Sequence, residues 1–370
     1  MSYAVLQAGD PAPWFVQNCT VPRGTYALDS IAGRFIVLCF LHSAASDAGQ
    51  AALAVIERHR ALLDDTNISL FGISTDPDDE RLGRLKAATP GIRFFWDMDG
   101  SVSRLYGAQP LDGSGALRPM WFVLDPMLRI VAALDFDAAD PAEEKLVAVL
   151  GALPGMARFG ADRPVPALIL DDVFEPAFCD RLVRYYGDSR THVSGIFAQR
   201  DGRAQALLEP GFKRRSDCMV KDAELIQQIQ LRIIRRVVPD LQRATQFTAT
   251  RLERLLVACY DSQDQGRFGP HRDNVVPAVA HRRFACSINL NSDFEGGEIQ
   301  FPEFGRALFR PKAGSAIVFS CSLLHQVVPV TRGRRFALLP FLFDEAAAMV
   351  KQANADAIQR GNAEAAAATR

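Results

Sequence analysis

The hydrophobic pattern of this chain changes character once, and that change limits its fold more than any other feature. Up to residue 153, short apolar runs alternate with segments of helical spacing. "RFIVLCFL" (34–41) and "ISLFGIST" (68–75) have the composition of buried strands, and residues 47–65 between them carry apolar residues at helical intervals. Residues 78–88 and 141–153 also predict helices, and 120–136 predicts two strands joined at Asp125-Pro126. Alternating strands and helices predict an α/β sandwich around a mainly parallel sheet.

The pattern changes after residues 151–168, where proline and glycine interrupt the chain and periodicity is weak. Helical segments at 175–188 and 221–238 are followed by short apolar runs with Gly- and Pro-rich turns, which is typical of a sandwich or barrel. A length of 370 residues is enough for two domains. We therefore predict a first domain at 1–155, a linker at 156–165, a second domain at 166–345 and a helical tail at 346–370.

Charge and cysteine content exclude several classes of protein. The formal net charge of −1 argues against a broad nucleic-acid-binding surface. The seven cysteines include no CxxC pair, and their odd number and apolar surroundings indicate free thiols in a reducing compartment. The first residues lack a signal-peptide pattern, and no uncharged run approaches the roughly 20 residues that cross a bilayer. We expect a soluble, cytoplasmic protein with no membrane or nucleic-acid partner.

Histidine is scarce in this chain, and one of its six histidines stands in "FGPHRDN" (268–274). Residues i and i+2 of a strand project to the same side, so His271 and Asp273 can hold one metal ion, with His325 as the candidate third ligand. Taken singly, His271 and Asp273 equally suit a solvated turn beside Arg272, and His325 suits a hydrogen-bonded histidine at a strand end. Two histidines and one carboxylate together are the facial triad of non-heme Fe(II) oxygenases.

Around these residues the chain resembles the 2-oxoglutarate-dependent Fe(II) dioxygenases of the prolyl-4-hydroxylase-like branch, over roughly residues 165–345. The resemblance rests on a tyrosine before the H-x-D motif, on "FEGGEIQFPEFG" (294–305), and on the segment that begins at His325. That last segment matches the family pattern at seven positions: His325, Val327, Pro329, Val330, Thr331, Gly333 and Arg335. The implied fold is a double-stranded β-helix, or jelly roll, with flanking helices.

The resemblance implies a role for each matched residue. His271, Asp273 and His325 would bind Fe(II), and Tyr260 would hydrogen-bond the cosubstrate 2-oxoglutarate. Arg335 would pair with the distal carboxylate of 2-oxoglutarate. Arg334 is its rival, because only one of two adjacent strand residues faces inward. Asn289 stands where relatives often carry a tyrosine that touches that carboxylate. It suits equally well a buried side chain that is hydrogen-bonded to the backbone and has no part in binding. O2 and ascorbate are the other implied reactants.

The first half resembles peroxiredoxins, proteins of the thioredoxin fold, through "AGDPAPWF" (8–15), "RPMWFVLDP" (118–126) and the order of its elements. Relatives follow a strand phenylalanine with Pro, Thr and the peroxidatic Cys at +2, +6 and +9. Counted from Phe40, these positions hold His42, Ser46 and Gly49, so the reactive thiolate is absent. Cys39 lies inside an apolar strand, where a small buried hydrophobe is the ordinary interpretation. We expect a non-catalytic domain that acts as a scaffold, a peptide-docking surface or a dimer interface.

The predicted function is hydroxylation of a peptidyl residue or an amino-acid-like small molecule, with release of succinate and CO2. The alternatives are a thiol peroxidase that uses Cys39 or Cys19, and an iron- or oxygen-sensing regulator without turnover. A homodimer is compatible with the sequence. The basic segment 211–222 has two interpretations that stay open: contact with an acidic substrate, or a solvated lid.

Overall fold

The computed structural model describes residues 2–21, 25–159, 163–200 and 203–368. The chain divides into two compact units. The first comprises the residues up to Pro164 together with Pro302–Ala307, and the second comprises Val165–Phe301 and Leu308–Arg370. Met156–Phe159, which the sequence analysis assigns to a linker, forms a short helix, and its Met156 and Phe159 side chains join Phe35 in a buried cluster of the first unit.

The first unit is built on one seven-stranded sheet. Its strands are β1 (Val16–Cys19), β2 (Thr25–Ala27), β3 (Phe35–His42), β4 (Ile68–Ser74), β5 (Ile92–Trp96), β6 (Met120–Leu124) and β7 (Ile130–Asp135). Their order in the sheet is β2-β1-β5-β4-β3-β6-β7. The β3–β4 and β4–β5 pairs are parallel, whereas the other pairs are antiparallel. The prediction of a mainly parallel sheet is therefore wrong, because a tight turn at Asp125 joins β6 to β7 and such turns connect antiparallel strands.

Helices in the first unit are shorter than their apolar spacing predicts. They are α1 (Asp47–Arg58), α2 (Pro77–Arg81), α3 (Ser101–Leu105), α4 (Glu143–Ala152) and α5 (Met156–Phe159). The predicted helix at 78–88 is wrong after residue 81, because Gly83 adopts φ of 62°, a left-handed conformation that ends helices. All eight residues of β3 are buried. Strands with helices packed against them make the predicted α/β sandwich.

The second unit is dominated by antiparallel sheets. A five-stranded sheet has the order β12 (Lys213–Arg214), β16 (Arg267–His271), β22 (His325–Val327), β19 (Ile299–Gln300), β20 (Leu308–Phe309). A nine-stranded sheet has the path β14 (Arg251–Glu253), β25 (Phe341–Phe343), β17 (Phe284–Asn289), β24 (Arg334–Leu338), β15 (Leu256–Asp261), β13 (Ser216–Met219), β9 (His192–Val193), with β21 (Ala316–Ser320) beside β17 and β8 (Ala167–Leu170) beside β21. Two strand pairs stand apart: β10 (Ile196–Arg200) with β11 (Arg203–Leu207), and β18 (Glu295–Gly296) with β23 (Val330–Arg332). The predicted jelly-roll architecture agrees with this arrangement.

Helices cover the outer face of the nine-stranded sheet. They are α6 (Pro176–Asp188), α7 (Ala223–Arg236) and α8 (Val238–Thr245). A further helix, α9 (Glu345–Ala368), follows the last strand. Phe178, Leu225 and Ile233 of α6 and α7 share one buried apolar cluster with Val257 and Ile288 of the sheet. The opposite face of the nine-stranded sheet lines a pocket, and the five-stranded sheet lines the other side of that pocket. Among the described residues, no helix is long and apolar enough to cross a membrane.

Candidate functional site

Three side chains converge where β16 and β22 end. His271 and His325 are directly paired across these antiparallel strands, and Asp273 follows two residues after His271. The Asp273 carboxylate lies 3.6 Å from His271 Nε2 and 3.4 Å from His325 Nε2. One potential ligand atom of each residue lies within 4.8 Å of those of the other two. The structure therefore brings together the three predicted metal ligands, although they come from segments more than fifty residues apart.

Hydrogen bonds and ring contacts orient both imidazoles. His271 Nδ1 lies 2.8 Å from the Gly269 carbonyl oxygen, and His325 Nδ1 lies 3.0 Å from that of Leu323. A carbonyl oxygen only accepts, so each Nδ1 carries the proton and each Nε2 presents its lone pair to the shared centre. The Phe268 ring stacks on His271 with centroids 3.4 Å apart. These contacts hold two nitrogen donors on one side of the pocket.

Burial and the neighbouring side chains together set the charge state of this cluster. Burial and the adjacent His271 lower the pKa of His325 to about 4. Burial acts to raise the pKa of Asp273, but His325 and His271 beside it outweigh that effect and hold it well below its usual range. At neutral pH, His325 is thus uncharged and Asp273 is ionised, the states in which each side chain binds a metal ion.

Arg335 faces the same pocket from β24, and its neighbour Arg334 does not. Arg335 is 2% exposed, whereas Arg334 lies on the solvent face of the strand. Arg335 donates from Nε to Asn289 Oδ1 and from Nη2 to Ser287 Oγ, both at 3.0 Å. Among the described residues, its Nη1 atom has no hydrogen-bond partner. A buried guanidinium nitrogen without a partner is costly, so this atom indicates a place for an anionic ligand.

Asn289 and Tyr260 support Arg335 in the structure. Asn289 Nδ2 donates to the Pro311 carbonyl at 2.6 Å, which aims its Oδ1 at Arg335. Tyr260 is directly across the β15–β24 pair from Arg335, whose guanidinium carbon lies 5.4 Å from the tyrosine ring centre. The Tyr260 hydroxyl accepts from Arg215 Nη1 at 3.3 Å. Asn289 therefore acts through Arg335, while Tyr260 lines the pocket itself.

The pocket that these residues share has an empty volume of about 500 Å³. That volume includes space open to solvent, and the enclosed cavity itself measures about 60 Å³. Both sheets line it, with His271, Ile299, His325 and Val327 on one side and Tyr260, Ser287, Arg335 and Phe341 on the other. Apolar side chains, among them Phe319, Leu339 and Phe341, form much of its wall.

Arg215 and Arg254 also line the pocket, although neither belongs to a recognised motif of the sequence. Arg215 belongs to the basic segment 211–222, but it is only 6% exposed, so it is no part of a solvated lid. Its burial has a sequence signal. Arg215 lies between β12 and β13, two residues before Asp217 of β13, and the two side chains form an ion pair of 2.7 Å.

The first unit shows why the peroxidatic position is a glycine. A Cβ atom built on Gly49 would lie 1.9 Å from the Ser43 carbonyl oxygen, so a cysteine does not fit there without movement of the backbone. Ser46 caps helix α1, accepting a hydrogen bond from the Gly49 amide at 3.0 Å. His42 is 5% exposed and its Nε2 lies 3.1 Å from the Arg118 carbonyl oxygen. These residues serve the local fold.

The cysteines are equally unsuited to peroxide chemistry. All seven are free and buried. Burial raises the pKa of the Cys19 thiol, and it raises that of Cys39 far above its usual range. Both thiols are therefore protonated at neutral pH and are poor nucleophiles.

Comparison with known proteins gives a family for each half of the chain. Residues 255–343 match the 2OG-Fe(II) oxygenase superfamily, and residues 8–133 match the AhpC/TSA family. The chain thus joins a domain that matches the AhpC/TSA family to a domain that matches the 2OG-Fe(II) oxygenase superfamily. The predicted resemblances, to peroxiredoxins in the first half and to the 2-oxoglutarate-dependent oxygenases in the second, are confirmed. The family domain at 255–343 contains all three residues of the histidine–aspartate cluster and Arg335.

Curated relatives match the oxygenase half. A PKHD-type hydroxylase of Nitrosomonas europaea is 30% identical over 138 residues, which are 33% of this chain and 61% of that protein. A PKHD-type hydroxylase of an Azoarcus species is 29% identical over 186 residues, covering 47% of this chain and 77% of the relative. Two Synechococcus PKHD-type hydroxylases match over 42% of their length. The chain thus spans about half the length of these Synechococcus and Nitrosomonas relatives.

Solved structures resemble the two halves separately. A Trichoplax adhaerens prolyl hydroxylase, in complex with a hypoxia inducible factor peptide fragment, is 14% identical with a TM-score of 0.37 and covers 49% of this chain and 85% of its own. Mycobacterium tuberculosis AhpC is 15% identical with a TM-score of 0.34 and covers 40% of this chain and 93% of its own.

Proposed function

We propose that the second unit is an Fe(II)- and 2-oxoglutarate-dependent dioxygenase that hydroxylates a peptidyl residue or an amino-acid-like small molecule. The observation that carries this proposal is a single pocket that holds two oriented imidazole nitrogens, a carboxylate and an unpartnered guanidinium nitrogen. Imidazole and carboxylate donors suit Fe(II), and a facial set of three leaves coordination positions for other ligands. A guanidinium suits the distal carboxylate of 2-oxoglutarate.

The protein's own groups would divide the work between binding and orientation. His271, Asp273 and His325 would hold Fe(II), which when bound supplies the activation of O2 and the oxidative conversion of 2-oxoglutarate to succinate and CO2. Arg335 would neutralise and position the distal carboxylate of 2-oxoglutarate, and Asn289 and Ser287 would fix the orientation of its guanidinium. The apolar wall would keep water away from the reacting groups.

The other parts of the proposal concern the setting of this chemistry. Ascorbate would keep the iron reduced, and leaving it out of the assay tests this role. The first unit would act as a scaffold, a docking surface or the contact of a homodimer, since Gly49 and the buried thiols provide no nucleophile. A cytoplasmic location would suit seven buried free thiols.

The test compares the wild-type chain with His325→Ala, using His192→Ala as a matched control. His192 is an exposed histidine of the same unit, outside the pocket. Wild type and His192→Ala should bind one Fe(II) per chain and release succinate only with iron. Loss of a direct ligand should weaken iron binding beyond the roughly 10–100-fold cost of losing an outer-shell partner, and should abolish succinate release. Equal Fe(II) affinity in His325→Ala and wild type would contradict the proposed site.

A further inference from the structure

The pocket carries more positive charge than iron and 2-oxoglutarate require. Among the described residues that line it, Arg215 and Arg254 add two guanidinium groups to Arg335, and Asp273 is the one carboxylate. In the proposed complex, Fe(II) and Arg335 together would balance Asp273 and the two carboxylates of 2-oxoglutarate. The charges of Arg215 and Arg254 therefore need partners of their own.

One buried carboxylate serves both of these arginines. Asp217, behind the pocket wall, is 1% exposed. Its Oδ1 lies 2.7 Å from Arg215 Nε, and its Oδ2 accepts from Arg215 Nη2 at 2.8 Å and from Arg254 Nη2 at 3.3 Å. Burial and the neighbouring Arg215 lower the pKa of Arg254 to about 10, which still leaves it charged at neutral pH. Two cations against one anion leave one positive charge uncompensated at the pocket wall.

Arg254 is the member of this pair with donors to spare. Arg215 is held on three sides, by Asp217, by Ser194 Oγ at 3.0 Å and by the Tyr260 hydroxyl. Arg254 keeps 28% of its side chain exposed, and among the described residues Asp217 is the hydrogen-bond acceptor that it reaches. A guanidinium has five N–H donors in a planar fork that matches a carboxylate.

The backbone at Arg254 shows that its position is held against a local preference. Arg254 adopts φ of 64° in the short connection between β14 and β15. Residues other than glycine enter this left-handed region at a cost, and such residues concentrate at functional sites. Beside Arg254 the wall becomes apolar, with Leu339, Pro340 and Phe341. A ligand at this point meets a cation next to a hydrophobic surface.

We propose that the primary substrate carries a carboxylate joined to an apolar body, and that Arg254, backed by Arg215, binds this carboxylate. This inference rests on the proposed function, since it names the substrate class of the same site. The site selects acids over their neutral amides, because an amide leaves one of the two positive charges that share Asp217 uncompensated.

The experiment measures binding to the full-length chain loaded with Zn(II) and saturating 2-oxoglutarate. Zn(II) prevents turnover, and 2-oxoglutarate occupies the site at Arg335, so a probe cannot bind there. The probes are N-acetyl derivatives of the apolar amino acids, each paired with its carboxamide, and N-acetyl-L-isoglutamine, whose free carboxylate lies on the side chain. The readout is the rise in Tm with probe concentration. At least one acid should bind about ten- to hundredfold more tightly than its amide, the range for a charge-assisted hydrogen bond. Preference for N-acetyl-L-isoglutamine would show that the substrate's carboxylate belongs to an acidic side chain. Preference for the other acids would show that it belongs to a chain terminus.

The variant Arg254→Gln should lose the preference for acids, and Arg251→Gln should keep it. Arg251 is an exposed arginine on the same stretch of chain, paired with Glu345 outside the pocket. Equal binding of acids and amides, no binding of any acid, or unchanged preference in Arg254→Gln would overturn the inference. Failure of the proposed function gives a different result: acid-selective binding with Zn(II), but no iron-dependent succinate release with Fe(II).

Discussion

Single residues decide the chemistry of this pocket through the direction in which a strand points them. Arg334 and Arg335 are adjacent and chemically identical, yet one is exposed and the other is among the largest fully buried side chains. The difference follows from the two-residue period of a strand. Glycine at 333, with φ of 70°, sets the turn that leads into this strand and therefore its register.

We expect Arg335→Gln to raise the 2-oxoglutarate concentration needed for half-maximal uncoupled turnover by one to two decades. The physical reason is the loss of a charge-assisted hydrogen bond worth roughly 1.5–3 kcal/mol. Arg334→Gln is the matched control and should leave that concentration unchanged, because its guanidinium lies on the solvent face. Succinate release at varied 2-oxoglutarate measures both. A larger effect at Arg334 would show that the register assigned to cosubstrate binding is shifted by one residue.

At the scale of elements, one half-buried acid ties the C-terminal helix to the edge of the larger sheet. Glu253 of β14 accepts hydrogen bonds from Arg282 Nε at 2.8 Å and from Lys351 of α9, and it lies 2.9 Å from His281 Nε2. Burial acts to raise the pKa of Glu253, but its hydrogen bonds with Lys351, Arg282 and His281 outweigh burial and lower it to about 2. The contact between helix and sheet is thus electrostatic as well as apolar.

This lowered pKa predicts a loss of stability in acid. A carboxyl group whose pKa is lower in the folded state stabilises the fold above its unfolded pKa, and that contribution disappears as pH falls through the folded value. For Glu253 the window runs from its ordinary value of 4.5 down to about 2. The shift corresponds to about 3 kcal/mol of unfolding free energy at neutral pH.

Glu253→Gln should therefore lower the unfolding midpoint of the second unit at pH 7, and the gap from wild type should narrow as pH falls from 5 to 2.5. Glu345→Gln is the control, because Glu345 makes an exposed ion pair with Arg251 on the same helix and strand. Urea unfolding followed by circular dichroism across this pH range gives the comparison. A gap that stays constant with pH would mean that packing, not ionisation, explains the effect of Glu253→Gln.

At the scale of the whole molecule, the domain that matches the AhpC/TSA family lacks the residue that performs peroxiredoxin chemistry. It is fused to the domain that matches the oxygenases. Gly49 occupies the peroxidatic position in a backbone too close to Ser43 to admit a side chain. The strands and apolar core of that domain are nevertheless complete, as the fully buried β3 shows. The structural or binding role that we propose for this domain requires only that it folds.

We expect the native chain to show almost no reaction of its thiols with a disulfide reagent such as DTNB, and all seven to react after unfolding in guanidinium. Burial protects each of the seven cysteines and keeps their thiols protonated. Peroxide consumption with a thiol reductant should match the rate without protein. Rapid labelling of Cys39 or Cys19 in the native chain, together with peroxide turnover, would instead support the thiol peroxidase alternative.

The sequence alone was enough to identify both families and the three residues of the histidine–aspartate cluster, because these depend on local patterns. The H-x-D spacing places two side chains on one side of a strand, and apolar periodicity separates the α/β half from the all-β half. The missing peroxidatic cysteine is likewise visible by counting from Phe40. Each of these features is encoded within a few neighbouring positions.

Only the tertiary structure decided which distant residues share the pocket. The Arg215–Asp217–Arg254 cluster forms because β13 and the connection before β15 meet beside β16 and β24, and no local pattern encodes that meeting. The apolar spacing also failed to predict where one helix of the first unit ends and how two of its strands run. Gly83 ends the helix early, and the turn at Asp125 makes β6 and β7 antiparallel. Burial then gave Arg335 its significance, because a charge that the sequence would place in solvent lacks water as a partner once the two sheets close over it.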